Sequence, residues 1–188
     1  AQSTWYVPDD FPTIQAGING STNGDTVIVR DGAYVENLNF NGKAITLASE
    51  NGPLVTIIDG SQSGSVVTFS SGEGPATILA GFMVRNGKAN WGGGVHCDLS
   101  SPTLVNCMFV ANKALWDGAG MYCSTGSSPA LSNCSFVDND ADELPASDGG
   151  GMYCAAGSSP TLDNCSFVNN IASSEGGGIC LDVDVFSG

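Results

Sequence analysis

Short runs of alternating apolar and polar residues occur along most of the chain. Clear examples lie at Thr26 to Arg30, Ala44 to Leu47 and Val55 to Ile58, and each run is bordered by Gly, Asn, Ser, Pro or Asp. A period of two in such short runs predicts β-strands that bury one face. The chain is therefore expected to be almost entirely β-structure.

One segment near the N-terminus has a different period. Between Pro12 and Ile18, the apolar residues Ile14 and Ile18 lie four positions apart. This spacing predicts a short helix, with Pro12 in its first position. If the strands of the chain stack in successive coils, as argued below, this helix is placed to cover the first coil. The strands of that coil would otherwise have an unpaired edge.

The second half of the chain consists of repeats. A Gly-rich block at 92–97 returns at 118–123 and 149–154, and more loosely at 176–181. Its cysteines Cys97, Cys123 and Cys154 are 26 and 31 residues apart. After each of the first three copies the same residue types recur in the same order, namely Leu104, Leu131 and Leu162, then Cys107, Cys134 and Cys165, then Phe109, Phe136 and Phe167, then Asn112, Asn139 and Asn170.

Such a unit cannot bury its apolar side alone, because it has only short strands and no crossover helix. Stacking units about 4.8 Å apart pairs every strand with its equivalents in the neighbouring units. We therefore predict an all-β parallel β-helix in which Phe lies on Phe, Cys on Cys and Asn on Asn. A leucine-rich repeat is the alternative, since residues 104–112 also fit its strand signature.

The domain organisation follows from the same pattern. We expect one domain over residues 1–188, with a cap region at 1–25, divergent coils at 26–91 and regular coils at 92–188. In the divergent part, Gly81 to Asn86 is matched to Cys107 to Asn112. The last coil is expected to be incomplete, and 181–186 is expected to form a strand.

Composition narrows the classes of partner. The 188 residues contain 41% hydrophobic residues, enough for one core, and no apolar run approaches the roughly 20 residues of a membrane helix. Five Lys and Arg against 19 Asp and Glu give a net charge of −14, which argues against nucleic acid and anionic membranes as partners. Seven cysteines are typical of an oxidising compartment.

Several motifs resemble those of known β-helix families. The first part of the chain resembles the N-terminal part of pectate-lyase-like proteins at 7–16, 24–27, 31–37 and 56–60. The repeats are similar to those of polymorphic outer-membrane proteins, which are adhesins. The resemblance implies a right-handed parallel β-helix in a secreted or cell-surface protein of bacterial type, and it is compatible with several activities.

Aromatic residues give the first candidate site. If Val95 and Cys97 point inward, the period of two sends the residue between them, His96, outward, and Tyr122 and Tyr153 occupy the same position in later coils. Just before the Gly-rich blocks lie Trp91 and Trp116. A row of exposed rings can stack on sugars, or the rings can simply pack on one another.

A second candidate site comes from the resemblance to lyases. Polysaccharide lyases of this kind use a Lys or Arg as base, with calcium or basic groups neutralising the substrate's carboxylate. The candidates are Arg85, Lys88 and Lys113, which are expected near equivalent turns of adjacent coils. Ordinary solvated side chains are the alternative.

An acidic loop gives the third candidate site. Its carboxylates are the oxygen ligands that calcium prefers, and they belong to Asp138, Asp140, Asp142, Glu143 and Asp148. The spacing does not match an EF-hand. A calcium-stabilised turn and a plain acidic surface loop both fit.

The cysteines allow two interpretations. Disulfides within coils would join Cys97 to Cys107, Cys123 to Cys134 and Cys154 to Cys165, with Cys180 facing outward. Alternatively, the inward cysteines are small apolar residues stacked as free thiols.

Three functions are consistent with these features. The first is a non-catalytic, adhesin-like module that binds a polysaccharide or another cell-surface glycan. The second is a calcium-assisted polysaccharide lyase. The third is a stalk or filament subunit that associates end to end through its C-terminal coil.

Overall fold

The computed structural model describes residues 2–124 and 126–182. Within these residues the chain forms short strands in four parallel sheets and one short helix. Every pairing between the named strands is parallel. Because parallel neighbours in these sheets come from successive units, the predicted stack of coils is confirmed.

The four sheets are defined by their strands in stacking order. Sheet A contains β1 (Thr4–Val7), β2 (Thr26–Val29), β5 (Thr46–Ser49), β8 (Ile78–Ala80), β12 (Thr103–Val105), β16 (Ala130–Ser132) and β20 (Thr161–Asp163). Sheet B contains β3 (Gly32–Val35), β6 (Thr56–Asp59), β9 (Met83–Arg85), β13 (Met108–Val110), β17 (Ser135–Val137) and β21 (Ser166–Val168). Sheet C contains β4 (Leu38–Asn39), β7 (Val67–Phe69), β11 (Val95–Cys97), β15 (Met121–Cys123), β19 (Met152–Cys154) and β23 (Ile179–Leu181). Sheet D contains β10 (Lys88–Ala89), β14 (Lys113–Ala114), β18 (Asp140–Ala141) and β22 (Ile171–Ala172).

A regular coil crosses the sheets in the order A, B, D and C before the next coil begins. The inward residues of sheets A, B and C form one continuous core along the axis. Phe109 and Phe136 are fully buried, with ring centroids 4.7 Å apart, and Phe136 is again 4.7 Å from Phe167. The predicted Phe column is confirmed.

The predicted Asn column is also confirmed. The Nδ2 group of Asn112 donates to Oδ1 of Asn139 at 3.0 Å, and that of Asn139 donates to Oδ1 of Asn170 at 2.8 Å. Each amide also donates to a backbone carbonyl, for example Asn139 to Phe109 O at 2.9 Å. These bonds satisfy buried polar groups between sheets B and D, where they would otherwise destabilise the fold.

The Gly-rich blocks are explained by close contact between coils. A Cβ atom on Gly94 would overlap the carbonyl oxygen of Gly120, and one on Gly120 would overlap that of Gly151. The first glycine of each block has φ near +60°, as at Gly92 and Gly118. Only Gly meets both requirements without strain.

The helix α1 covers the N-terminal end of the stack, but it begins later than predicted. It spans Ile14–Gly20, because the side chain of Thr13 caps it by accepting a hydrogen bond from Ala16 N. Pro12 therefore precedes the cap and is not the first helical residue. The carboxylate of Glu36 accepts from two further N–H groups of the first turn, at 2.9 Å each, and Ile14 and Ile18 are buried.

One expected alignment in the divergent half was wrong by one residue. Val84 lies beside Phe109, and Met83 lies beside Met108. Phe82 is fully buried and takes the inward position, opposite Cys107, at which the alignment had placed Gly81. Asn86 consequently lies in a left-handed turn (φ 55°) and not in the Asn column.

The C-terminal coil is more exposed than the others. Val168, Ile171 and Leu181 are 46%, 53% and 60% exposed. Within the described residues, β20, β21, β22 and β23 have neighbouring strands on one side only. The strand expected at 181–186 begins as the end of β23, and 183–186 lie outside the described residues. End-to-end association through this coil stays a prediction.

No helix in the described part of the chain is both long enough and apolar enough to cross a membrane.

The Asn column yields a prediction for stability. Asn139→Ala removes an amide that bonds on both sides and leaves several buried partners unpaired, so we expect the free energy of unfolding to fall by about 3 kcal/mol. Asn170→Ala, at the half-buried end of the column, should cost less. Chemical denaturation followed by circular dichroism measures both, and an equal loss for the two variants would contradict this account.

A buried carboxylate yields a second prediction. Glu73 is 2% exposed and accepts hydrogen bonds from Gly42 N and Ser71 N, both at 2.8 Å, and from Ser100 Oγ at 2.9 Å. Burial alone would raise its pKa, but these donors outweigh burial, and its pKa lies below the ordinary value of 4.5. The ionised form therefore stabilises the fold above that value, and this contribution is lost as the pH falls through the lowered pKa.

We expect Glu73→Gln to lower the free energy of unfolding at neutral pH by about 1–3 kcal/mol, because the amide cannot accept from all three donors. The difference from the wild type should shrink in acid. Denaturation across a pH series tests this, with the exposed Asp142→Asn as the control. A difference that is constant with pH would show that the charge of Glu73 plays no part.

Candidate functional site

The candidate site is the outer face of sheet C. The register places His96 beside Tyr122 and Tyr122 beside Tyr153, while their neighbours Val95 and Cys97 are fully buried. The three rings therefore form one outward column along the axis, as the sequence predicted. Cys180 occupies the next position of the column, beside Tyr153.

The rings of the column pack on one another. His96 meets Tyr122 edge to face at 5.6 Å between centroids, and Tyr122 lies parallel to Tyr153 at 5.5 Å. These contacts are within the range of favourable aromatic pairs. The column is thus partly a structural feature, because its rings contact one another along the axis.

Two tryptophans flank the column and remain more accessible. Trp91 lies 6.3 Å from Tyr122 between centroids, and the backbone N–H of Trp116 donates to Asn90 O in the coil below. Trp91 and Trp116 are 41% and 44% exposed. Trp91 therefore adds an exposed indole ring beside the column, and Trp116 adds a second exposed indole in the next coil.

Carboxylates line both sides of the aromatic column. On one side, Oδ1 of Asp117 accepts from Asp148 N at 2.9 Å, and Oδ1 of Asp148 accepts from Glu175 N at 2.7 Å. On the other side, Asp98 accepts from Ser124 Oγ at 2.6 Å, and Asp182 accepts from the Tyr153 hydroxyl at 3.3 Å. We call Asp117, Asp148 and Glu175, which lie on the first side, the acidic ladder.

The acidic ladder was not recognised from the sequence, although a signal was present. Its members directly precede the first glycine of the last three Gly-rich blocks, as Asp117-Gly118, Asp148-Gly149 and Glu175-Gly176. The first block has Trp91 at this place, which obscured the pattern.

Electrostatics of this face follow from burial and the surrounding carboxylates. Burial and the nearby charge of Asp148 raise the pKa of Asp117, although the N–H of Asp148 partly opposes this. Burial, with Asp117 and Asp98 close by, raises the pKa of Tyr122. The phenol groups are therefore neutral hydrogen-bond donors over the whole physiological pH range.

The three candidate lyase residues are each bound to a carboxylate. Arg85 Nε lies 2.9 Å from Asp59 Oδ2, Lys88 Nζ lies 2.7 Å from a Glu143 oxygen, and Lys113 Nζ lies 2.9 Å from an Asp140 oxygen. Lys88 and Lys113 are neighbours in sheet D, whereas Arg85 belongs to sheet B.

The hydrogen bond to Asp140 raises the pKa of Lys113. A catalytic base requires the opposite shift near neutral pH.

The acidic loop does not bring its five carboxylates together. Asp140 and Glu143 bind the two lysines, Asp138 and Asp142 are exposed, and Asp148 belongs to the acidic ladder. Among the residues the structure describes, no three His, Cys, Asp or Glu side chains are grouped as metal ligands. The loop instead neutralises the basic residues of sheet D.

The cysteines follow the second interpretation in this structure. All seven are free thiols. Cys97, Cys123 and Cys154 are direct neighbours across coils, and the backbone bond from Ser135 N to Cys107 O places Cys134 in the coil above Cys107. The contacts run along the axis between coils, not within a coil as in the pairing considered from the sequence.

The imidazole of the only histidine gives a direct test of this face. Partial burial within the column lowers the pKa of His96, and the nearby charge of Asp98 partly opposes this shift. We expect its NMR titration midpoint to lie below 6.5 and to move upward in Tyr122→Ala, where the ring is more exposed to water. A midpoint at or above 6.5 in the wild type would contradict the packing described here.

Comparisons with known proteins agree with the fold. No curated protein and no solved structure was found to match the chain. A family model described as right handed beta helix region matches residues 16–183, which is most of the chain. The chain therefore belongs to the right-handed β-helix family.

Proposed function

We propose that this chain is a non-catalytic module that binds a polysaccharide or another glycan outside the cell or at its surface. The observation that carries the proposal is the exposure of Trp91 and Trp116 beside the His96, Tyr122 and Tyr153 column. Exposed indole rings next to other aromatic rings form a surface patch of the kind that marks ligand-binding sites.

The chemistry of this face suits sugars. A pyranose ring has an apolar face of C–H groups that can lie on an indole, and hydroxyl groups that need polar partners. Next to the rings, the phenol of Tyr122 can donate and the carboxylates of Asp98 and Asp117 can accept. Charge-assisted hydrogen bonds to those carboxylates would be the stronger ones.

The repeat favours an extended ligand. Equivalent side chains of successive coils lie about 4.8 Å apart along the axis. A polymer lying along the axis would meet similar groups at each coil, and several weak contacts of one chain add to a useful affinity. We infer that the ligand is a polysaccharide strand and not a small sugar.

The lyase alternative has less support. Arg85, Lys88 and Lys113 each donate to a carboxylate of the chain itself, so a substrate would first have to displace that partner. Calcium has a role only in this alternative, in which it would neutralise the carboxylate of the substrate. Incubation with uronate polymers and measurement of the ultraviolet absorbance of unsaturated products would detect such activity directly.

The proposal predicts the effect of removing both tryptophans. We expect the double variant Trp91→Ala, Trp116→Ala to bind a retained polysaccharide at least about tenfold more weakly, since each stacked ring contributes roughly 1 kcal/mol. Affinity electrophoresis through a panel of neutral, uronate and amino-sugar polymers measures the loss.

The matched control removes two exposed apolar side chains elsewhere, Val35→Ala with Leu54→Ala. It should bind like the wild type, and both variants should keep the wild-type circular dichroism spectrum. If the tryptophan variant is retarded as strongly as the wild type, or if no polymer retards the wild type, the proposal fails.

A further inference from the structure

The carboxylates of sheet C have unused acceptor capacity. The acidic ladder residues Asp117 and Asp148 each use Oδ1 for a backbone N–H, and Asp98 uses Oδ1 for Ser124. Within the described part of the chain, the second oxygen of each accepts no hydrogen bond. A carboxylate oxygen beside an exposed aromatic surface is thus available to a ligand at several successive coils.

The cations of the chain are held elsewhere. Arg30 binds Asp9 and Glu50, and Lys43 donates to three carbonyls at the end of α1, those of Ile18, Asn19 and Ser21. The remaining three are paired as described above with Asp59, Glu143 and Asp140. All five Lys and Arg side chains are therefore engaged away from the acidic ladder.

Unpaired carboxylates along one edge repel one another. The raised pKa of Asp117, which arises from burial and from the charge of Asp148, is one consequence. A cation beside them would relieve this repulsion, and exposed aromatic rings such as Trp91 could add a cation–π contact. The chain already shows such a pair, with the Arg30 guanidinium 4.5 Å from the centroid of Tyr6.

We propose that the polysaccharide bound at this face is a polymer of amino sugars with free, protonated amino groups. This inference deepens the proposed function and rests on it. The sugar rings lie against Trp91 and Trp116, and the ammonium groups meet Asp117, Asp148 and Glu175 on one side and Asp98 on the other. A carboxylate recurs about every 4.8 Å along the ladder, close to the length of one sugar unit.

The charge also sets the selectivity. A uronate polymer would bring its own carboxylates against the acidic ladder, and like charges brought together oppose binding. An N-acetylated amino sugar would keep the stacking contacts but lose the ion pairs. The free amine form is therefore the one to which both the tryptophan rings and the carboxylates of the acidic ladder contribute binding energy.

The experiment compares one polymer in two chemical forms. Binding of the full chain to a soluble glucosamine polymer and to its N-acetylated form is measured by calorimetry at about pH 6, above the ordinary pKa range of Asp and Glu side chains. We expect the free amine form to bind at least about tenfold more tightly at low salt. This preference should decrease as the salt concentration rises, because salt screens exposed charges.

Variants assign the preference to the acidic ladder. Asp117→Asn with Asp148→Asn keeps the acceptor oxygens of the ladder, so the fold is retained, but removes two charges. It should weaken binding of the free amine form by about tenfold and binding of the N-acetylated form by much less, since only the free amine form loses ion pairs. Asp31→Asn with Asp163→Asn changes the net charge equally at exposed sites outside sheet C and should have no effect.

The possible failures are distinguishable. Equal binding of the two forms, or an equal loss in the ladder and control variants, overturns the cationic ligand and leaves the proposed function intact. Absence of binding to every polymer, neutral, acidic or basic, overturns both. If polylysine binds as tightly as the glucosamine polymer and loses nothing in Trp91→Ala with Trp116→Ala, the ligand is a cation without sugar specificity, and the inference is wrong.

Discussion

Parallel pairing of each strand with its equivalent in the next coil is the constraint on which the molecule depends. It places like side chains in contact along the axis, so every position of the repeat is selected for packing on itself. Phe109 on Phe136, Asn112 on Asn139 and Gly94 against Gly120 are three solutions of this condition. The first buries apolar area, the second satisfies buried amides, and the third lets two backbones approach closely.

The same constraint creates the candidate site. Once Cys97 and Val95 point inward, His96 must point outward, and the register repeats that outward position as Tyr122 and Tyr153. The acidic ladder arises in the same way, with Asp117 and Asp148 each accepting a hydrogen bond from the backbone of the coil above. A surface that repeats along the axis is therefore a direct product of the packing inside.

Much of the fold could be predicted because its contacts are between residues of the same kind. The repeat alone identifies the Phe, Asn and Cys columns and the outward ring positions. Where the repeat is faint the prediction lost accuracy, as at Met83 and Val84, since a slip of one residue leaves an apolar segment looking nearly unchanged. At α1, the capping side chain of Thr13 decided the start, and the position of Pro12 did not.

Contacts between unlike residues could not be predicted from the repeat. Lys88 meets Glu143 across 55 residues, through a loop that only one coil possesses. The sequence therefore suggested a basic site and a calcium site separately, whereas the structure joins them in ion pairs. Buried Glu73 escaped notice for a related reason, because its donors Gly42, Ser71 and Ser100 belong to three different turns.

The longer loop between Asp140 and Asp148 shows how this architecture tolerates change. The insertion lies between a strand of sheet D and the next strand of sheet C, and the pairings on both sides of it, Lys113 with Asp140 and Met121 with Met152, stay in register. Extra residues can thus enter at one corner of one coil while the neighbouring coils keep their geometry. A loop at such a corner can therefore differ in length and chemistry from those of neighbouring coils without altering the stacked residues of the core.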